Sequence, residues 1–93
     1  MNDIQDTLNN RQDSYGPYAN VCALTQAFMR IVNRSPNGNA LSDVHVESLH
    51  MIFSKISRLL SGNSNHLDTI HDIAGYATLL YDDISKGVEN GIK

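Results

Sequence analysis

Two basic and two acidic side chains in the second half of the chain have the spacing to act together. Lys55 and Arg58 are three residues apart, and Asp68 and Asp72 are four apart. Either spacing puts a pair on one face of a helix. The stretch between them, Ser61 to Ser64, is short, so the helices that carry them should be antiparallel neighbours. Lys55 and Arg58 have the chemistry to take phosphate oxygens, and two carboxylates one turn apart can share Mg²⁺ through oxygen ligands. The same residues also suit a structural task, with Arg58 paired to Asp68 or Asp72 and Lys55 to Asp72 to fix the register of the helices. Glu47 shares a polar strip with His50, Met51, Lys55 and Arg58. It lies about three turns farther from the loop than Arg58, which places it near Tyr81 to Ile84 rather than Asp68.

A second candidate stands near the N-terminus, where Arg11, Tyr15, Gly16 and Tyr18 cluster around a glycine-bearing turn. A turn that opens a helix offers backbone N–H groups to an anion, and the arginine and tyrosines would add charge and stacking. Alternatively this is an ordinary helix start, with tyrosines covering the end of the bundle. The four histidines, His45, His50, His66 and His71, form no HExxH, and the single cysteine, Cys22, excludes a CxxC and an internal disulfide. Cys22 lies in an apolar stretch and reads as a small core residue without an activating base. No GxSxG, P-loop or dinucleotide fingerprint is present, so nucleophilic catalysis is not expected.

The elements that must position these groups are helices. Asp3 to Asn10 carries Ile4 and Leu8 on one side and reads as a short N-terminal helix. Arg11 to Pro17 breaks that pattern, with Pro17 suited to the first turn of the next helix. A long helix from about Pro17 to Asn33 follows, with Val21, Leu24, Phe28 and Ile31 on one face, and Ser35 to Asn39 ends it. The next begins at Ser42, a good N-cap, followed by Asp43 at the positive end of the macrodipole. Its stripe is Leu49, Ile52, Ile56 and Leu59, widened by Val46, Phe53 and Leu60, and Gly62 suits a left-handed residue past its end. The last helix starts near Asn65. Leu67, Ile70, Ala74, Ala77, Tyr81, Ile84 and Val88 form a heptad seam, and Ile73, Tyr76 and Leu80 broaden it. Gly75 costs about 1 kcal/mol relative to alanine inside a helix, so a close neighbour is expected there.

The expected fold is all-α: three long helices plus a short N-terminal one in an antiparallel bundle. Residues 1–93 form one domain in this reading, with residues 1–16 as an arm, 17–88 as the helical core and 89–93 as a frayed tail. Hydrophobic residues make up 41% of the chain, with no tryptophan, enough for a shallow core. Self-association is a natural way to gain stability, and the wide seam of the last helix points to a homodimer or higher homo-oligomer. A net charge of −3 argues against general nucleic-acid and membrane-surface binding. No run approaches a membrane span, and the polar start MNDIQDTLNN is unlike a signal peptide. A cytoplasmic protein is expected.

The combined pattern is more specific than its parts. Arg11-x-x-x-Tyr15-Gly16, Ser35-Pro36-Asn37, Leu41-Ser42, the run from Glu47 to Gly62, and Asp68-x-x-x-Asp72-Ile-Ala-Gly75-Tyr76-Ala follow in an order that resembles a family of small phage and prophage proteins of unassigned function. The resemblance spans roughly residues 11 to 81. The order is also similar to that of the phage nucleotide-modification-associated domain, which has a basic residue before Tyr-Gly, a Lys-x-x-Arg helix and an Asp-x-x-x-Asp helix ending in an aromatic residue. This resemblance implies a phage context and the handling of nucleotides. It marks Arg11, Tyr15, Gly16, Lys55, Arg58, Asp68, Asp72 and Tyr76 as ligand-binding positions, with Asp68 and Asp72 as candidate Mg²⁺ ligands. A more distant likeness is to the all-α nucleotide pyrophosphohydrolases of the MazG type, which hold magnesium with Glu-Glu-x-x-Glu and Glu-x-x-Asp. Here one helix offers Glu47 and His50, and the spacing of Asp68 and Asp72 differs, so the hydrolytic set is incomplete. Three functions follow. The first is a non-enzymatic protein that binds a nucleotide or other phosphorylated small molecule. The second is a phage factor that inhibits or redirects a host defence protein. The third is a Mg²⁺-dependent pyrophosphohydrolase.

Overall fold

The computed structural model describes residues 2–89, and these form four helices: α1 (Asn2–Tyr15), α2 (Tyr18–Arg34), α3 (Asp43–Ser61) and α4 (Leu67–Glu89). The tail expected at 89–93 lies, from residue 90 on, outside the described residues.

The helix ends follow local chemistry. Pro17 is the N-cap of α2, one position ahead of the expected first-turn site. The Ser42 hydroxyl accepts from the His45 N–H at 3.2 Å and caps α3. His66 plays that part for α4, its Nδ1 accepting from the Thr69 N–H at 3.3 Å, so α4 begins two residues later than the sequence indicated.

Four expectations are corrected. The N-terminal helix is not short. It runs for 14 residues, through the stretch read as a break, to Tyr15. Its polar side chains form helix-compatible contacts, including Thr7 Oγ1 to the Asp3 carbonyl at 2.9 Å, rather than turns. Gly62 ends α3 with φ −127° and is not left-handed. It is small because another backbone crosses it. A Cβ on Gly75 would meet nothing within 4 Å, so no neighbour comes close there. The heptad seam of α4 does not face α3, for Leu67, Ile70, Tyr81 and Val88 are exposed. Thr69 is buried instead, and Ile73, Tyr76 and Leu80, three of the residues expected only to broaden the seam, are half-buried.

α3 is the centre of the arrangement. It packs on α2 on one side and α4 on the other, while α2 and α4 do not touch. Both pairs are antiparallel. Thr25 meets Ser57 and Phe28 stacks on Phe53, so numbers rise on α2 as they fall on α3. Lys55 and Asp72 lie at similar distances before and after the α3–α4 connection and pair across it. Between α2 and α3 the buried centre is polar. Thr25 Oγ1 donates to Ser57 Oγ at 2.9 Å, and Ser57 Oγ donates to the Phe53 carbonyl at 2.9 Å. Among the described residues Val21 is the one buried hydrophobic side chain.

Candidate functional site

The end of α1 docks against the end of α3 by close backbone contact. Gly16 has φ +79°, a left-handed conformation that glycine adopts without steric cost. A Cβ there would meet the Ser61 carbonyl carbon at 2.7 Å and the Ser61 oxygens closer still. Across the same crossing, a Cβ on Gly62 would lie 2.5 Å from the Ser14 carbonyl oxygen and the Tyr15 Cα. The Asn63 N–H donates to the Ser14 carbonyl at 2.8 Å, which ties the two segments together. Gly16 and Gly62 are thus one device that lets two chain segments cross.

That crossing fixes Tyr15. Its ring lies edge-on to His66 with centroids 5.4 Å apart, and the Arg58 guanidinium carbon stands 4.6 Å from its ring centroid. The expected ion pairs of Arg58 with Asp68 or Asp72 do not form. The physical reason is angular. Arg58 leaves α3 about 60° round from Lys55, on the flank where α1 brings Tyr15, and the ring face attracts the cation. The pair that forms is Lys55 Nζ to Asp72 Oδ2 at 3.0 Å, with Lys55 largely covered. Hydrogen bonding to Lys55, and then the charge of Lys55, hold the Asp72 carboxyl below the usual carboxylate range, with smaller help from His71 and Arg58.

Arg58 forms a wall of a cleft of about 840 Å³ between α1, α2 and α3, a size typical of small-molecule sites. Arg11, Tyr15 and Gly16 line it too, so four of the eight residues singled out from the sequence come together. Among its lining residues are two arginines, His50, two tyrosines and the amides of Gln5, Asn9, Gln12 and Gln26, and no Asp or Glu. In a chain of net charge −3, two arginines thus share a cleft whose lining holds no carboxylate. Among the described residues neither arginine has a carboxylate partner. Arrangements of this kind can hold an anion by bidentate contacts from arginine and a planar ring by stacking on tyrosine.

The other four residues lie elsewhere. Lys55 and Asp72 engage each other, and Asp68 is exposed on the first turn of α4. Tyr76 is half-buried and lines a shallow depression on α4 with Asp72 and Gly75. No three or more His, Cys, Asp or Glu converge among the described residues, so Glu47, Asp68 and Asp72 do not assemble the acidic set of a MazG-type site.

Several residues of the cleft were not legible in this role. Cys22, read as core, is half-buried at the cleft wall beside Tyr18, and a side-chain hydrogen bond between them pushes the Tyr18 phenol above its ordinary range. His50, which the polar strip already marked, is the one residue a sequence signal could have assigned to this flank. Gln12 was hidden by the expectation that the helix stopped at Asn10.

Among the described residues no helix is long and apolar enough to cross a membrane. The sequence model of a family described as "Domain of unknown function (DUF6378)" matches residues 1–83. No curated protein and no solved structure matches the chain.

Proposed function

The chain belongs to the DUF6378 family, and from that premise we propose that it is a small phage-type accessory protein that binds a nucleotide or related phosphorylated small molecule without turning it over. The site is the cleft between α1, α2 and α3 rather than the Lys55–Asp72 pair. One observation carries this reading: Arg58 and Arg11 line a carboxylate-free cleft beside Tyr15, and Arg58 rests on an aromatic ring instead of an acid. A cation placed on a ring face is oriented while its N–H groups remain available to an anion. In this reading Arg58 and Arg11 take phosphate oxygens, Tyr15 and Tyr18 bracket a planar base, and the amides of α1 read its edge. Mg²⁺ would enter with the phosphates, since no Asp or Glu lines the cleft to hold it. We also read the protein as a homo-oligomer.

The test is a thermal-shift series over nucleoside mono-, di- and triphosphates, with and without Mg²⁺. A ligand at a hundred times its Kd adds about 2.7 kcal/mol, which in a chain of this size raises Tm by roughly 10 °C. The series should show such a rise for at least one class, and Arg58→Ala should remove it. No rise for any compound at millimolar concentration overturns the proposal. Appearance of a monophosphate from a triphosphate would instead mark the protein as a pyrophosphohydrolase.

A further inference from the structure

Successive residues of a helix turn by about 100°, and this fixes what surrounds α3. Phe53 and Ser57 point to α2, through Phe28 and Thr25. Lys55, midway between them in sequence, points to α4 through Asp72. Two residues from each, it projects about 160° away from both, so α2 and α4 flank α3 on opposite sides. They leave two open faces. One carries Glu47, His50, Ser54, Arg58 and Ser61, and receives α1 and the cleft. The other carries Leu49, Ile52 and Ile56, the main apolar stripe of α3, and among the described residues nothing covers it beyond partial shelter from the flanks.

The flanking helices extend this second face. On α2, Cys22 and Gln26 turn to the cleft side of buried Thr25, and Leu24 and Ile31 turn the other way, with Ile31 63% exposed. On α4, Asp72 lies on the polar flank of buried Thr69, where the charge of Arg58 reaches it. Ile70, Ala77 and Tyr81 project from the opposite flank, with Tyr81 71% exposed. The exposed heptad seam of α4 and the stripe of α3 therefore belong to one surface.

We infer that this uncovered face of the α2–α3–α4 layer is the interface of a homodimer, a step that rests on the homo-oligomer reading above and adds the surface that forms it. Area decides the occupant. A compact monomer of 10.3 kDa exposes about 5,400 Å², and this chain exposes 6714 Å². The excess of about 1,300 Å² on each of two copies, part of which α1 carries with exposed Ile4 and Leu8, bounds the interface at roughly 2,600 Å² in total, which reaches the range of obligate homodimers. The radius of gyration of 15.8 Å, against about 12 Å for a compact chain of this length, reflects an outline of 52 × 26 × 26 Å, elongated along the helices. With Val21 as its one buried hydrophobic residue among those described, the chain does not close a core alone. The cover must be present whenever the chain folds, and another copy always is. An apolar surface without charges to match can pair with itself about a two-fold axis, and the two clefts then lie on the outer sides.

Sedimentation equilibrium on the full chain reads the stoichiometry, with a mass of about twice 10.3 kDa expected at micromolar concentration. Maleimide labelling in a Cys22→Ser background then reads the surface. Ala77→Cys lies on the proposed interface and Leu79→Cys on the Asp72 flank, both at exposed positions of one chain. The first thiol should react at least tenfold more slowly than the second, and the difference should vanish in urea. A folded monomer with an equally reactive Ala77→Cys overturns both the surface and the homo-oligomer reading, and leaves the face to a different protein. A dimer in which Leu79→Cys is the protected thiol overturns the surface alone.

Discussion

Alanine at Gly16 is the sharpest perturbation of the site that removes no functional side chain. The left-handed backbone there, φ +79°, costs an L-residue about 1–2 kcal/mol. The added Cβ would also lie 2.7 Å from the Ser61 carbonyl carbon, a main-chain atom that no rotamer change can remove. Relief requires the two segments to separate, which breaks the 2.8 Å bond from Asn63 N–H to the Ser14 carbonyl at a cost of about 1 kcal/mol. Together Gly16→Ala should destabilise by about 3 kcal/mol, a large share of a typical 5–15 kcal/mol. Gly62→Ala faces the Tyr15 and Ser14 backbone across the same crossing without a left-handed backbone, and should cost less, about 1–2 kcal/mol. Because either substitution already opens the crossing, the double variant should lose clearly less than the sum of the two. Urea unfolding at one fixed protein concentration gives all three values, and nucleotide thermal shifts should shrink with them as Tyr15 and Arg58 lose their support. Losses below about 0.5 kcal/mol, or strict additivity, would refute the idea that the two glycines serve one contact.

Three further outcomes are expected. Arg58→Ala should abolish nucleotide stabilisation, whereas Lys55→Met should keep it while weakening the protein, since Lys55 is engaged with Asp72; equal loss in both, read by thermal shift, would return the site to the four-residue charged cluster. The Asp72 carboxyl is held below its ordinary range, so the stability it adds is fully present above about pH 4 and is lost as pH falls through its lowered value in the fold. The Tm gap between the wild type and Asp72→Asn should accordingly close in acid, and a gap that stays constant down to pH 2 would contradict the pairing. Thr25→Val should cost no more than about 1.5 kcal/mol, because Ser57 retains the Phe53 carbonyl as an acceptor, and chemical denaturation checks this.

Much of this protein was determined by short-range physics and is readable from the chain. Pro17, the Ser42 cap and the turn at Ser35 to Asn39 place the ends of α2 and α3, because caps and breakers act through neighbouring backbone groups. Lys55 meets Asp72 as the short connection required. Tertiary structure decided the rest. Periodicity gives the width of an apolar face but not which part of it a neighbour will cover, so the seam of α4 could be found without showing that Thr69 would be buried and Tyr81 exposed. Arg58 had acids nearby in sequence and a tyrosine 43 positions away, and the backbone crossing at Gly16 and Gly62 brought the tyrosine. Charge pairing and ring stacking are comparable in strength near a protein surface, so geometry chose between them, and geometry of that kind exists only once distant segments have met.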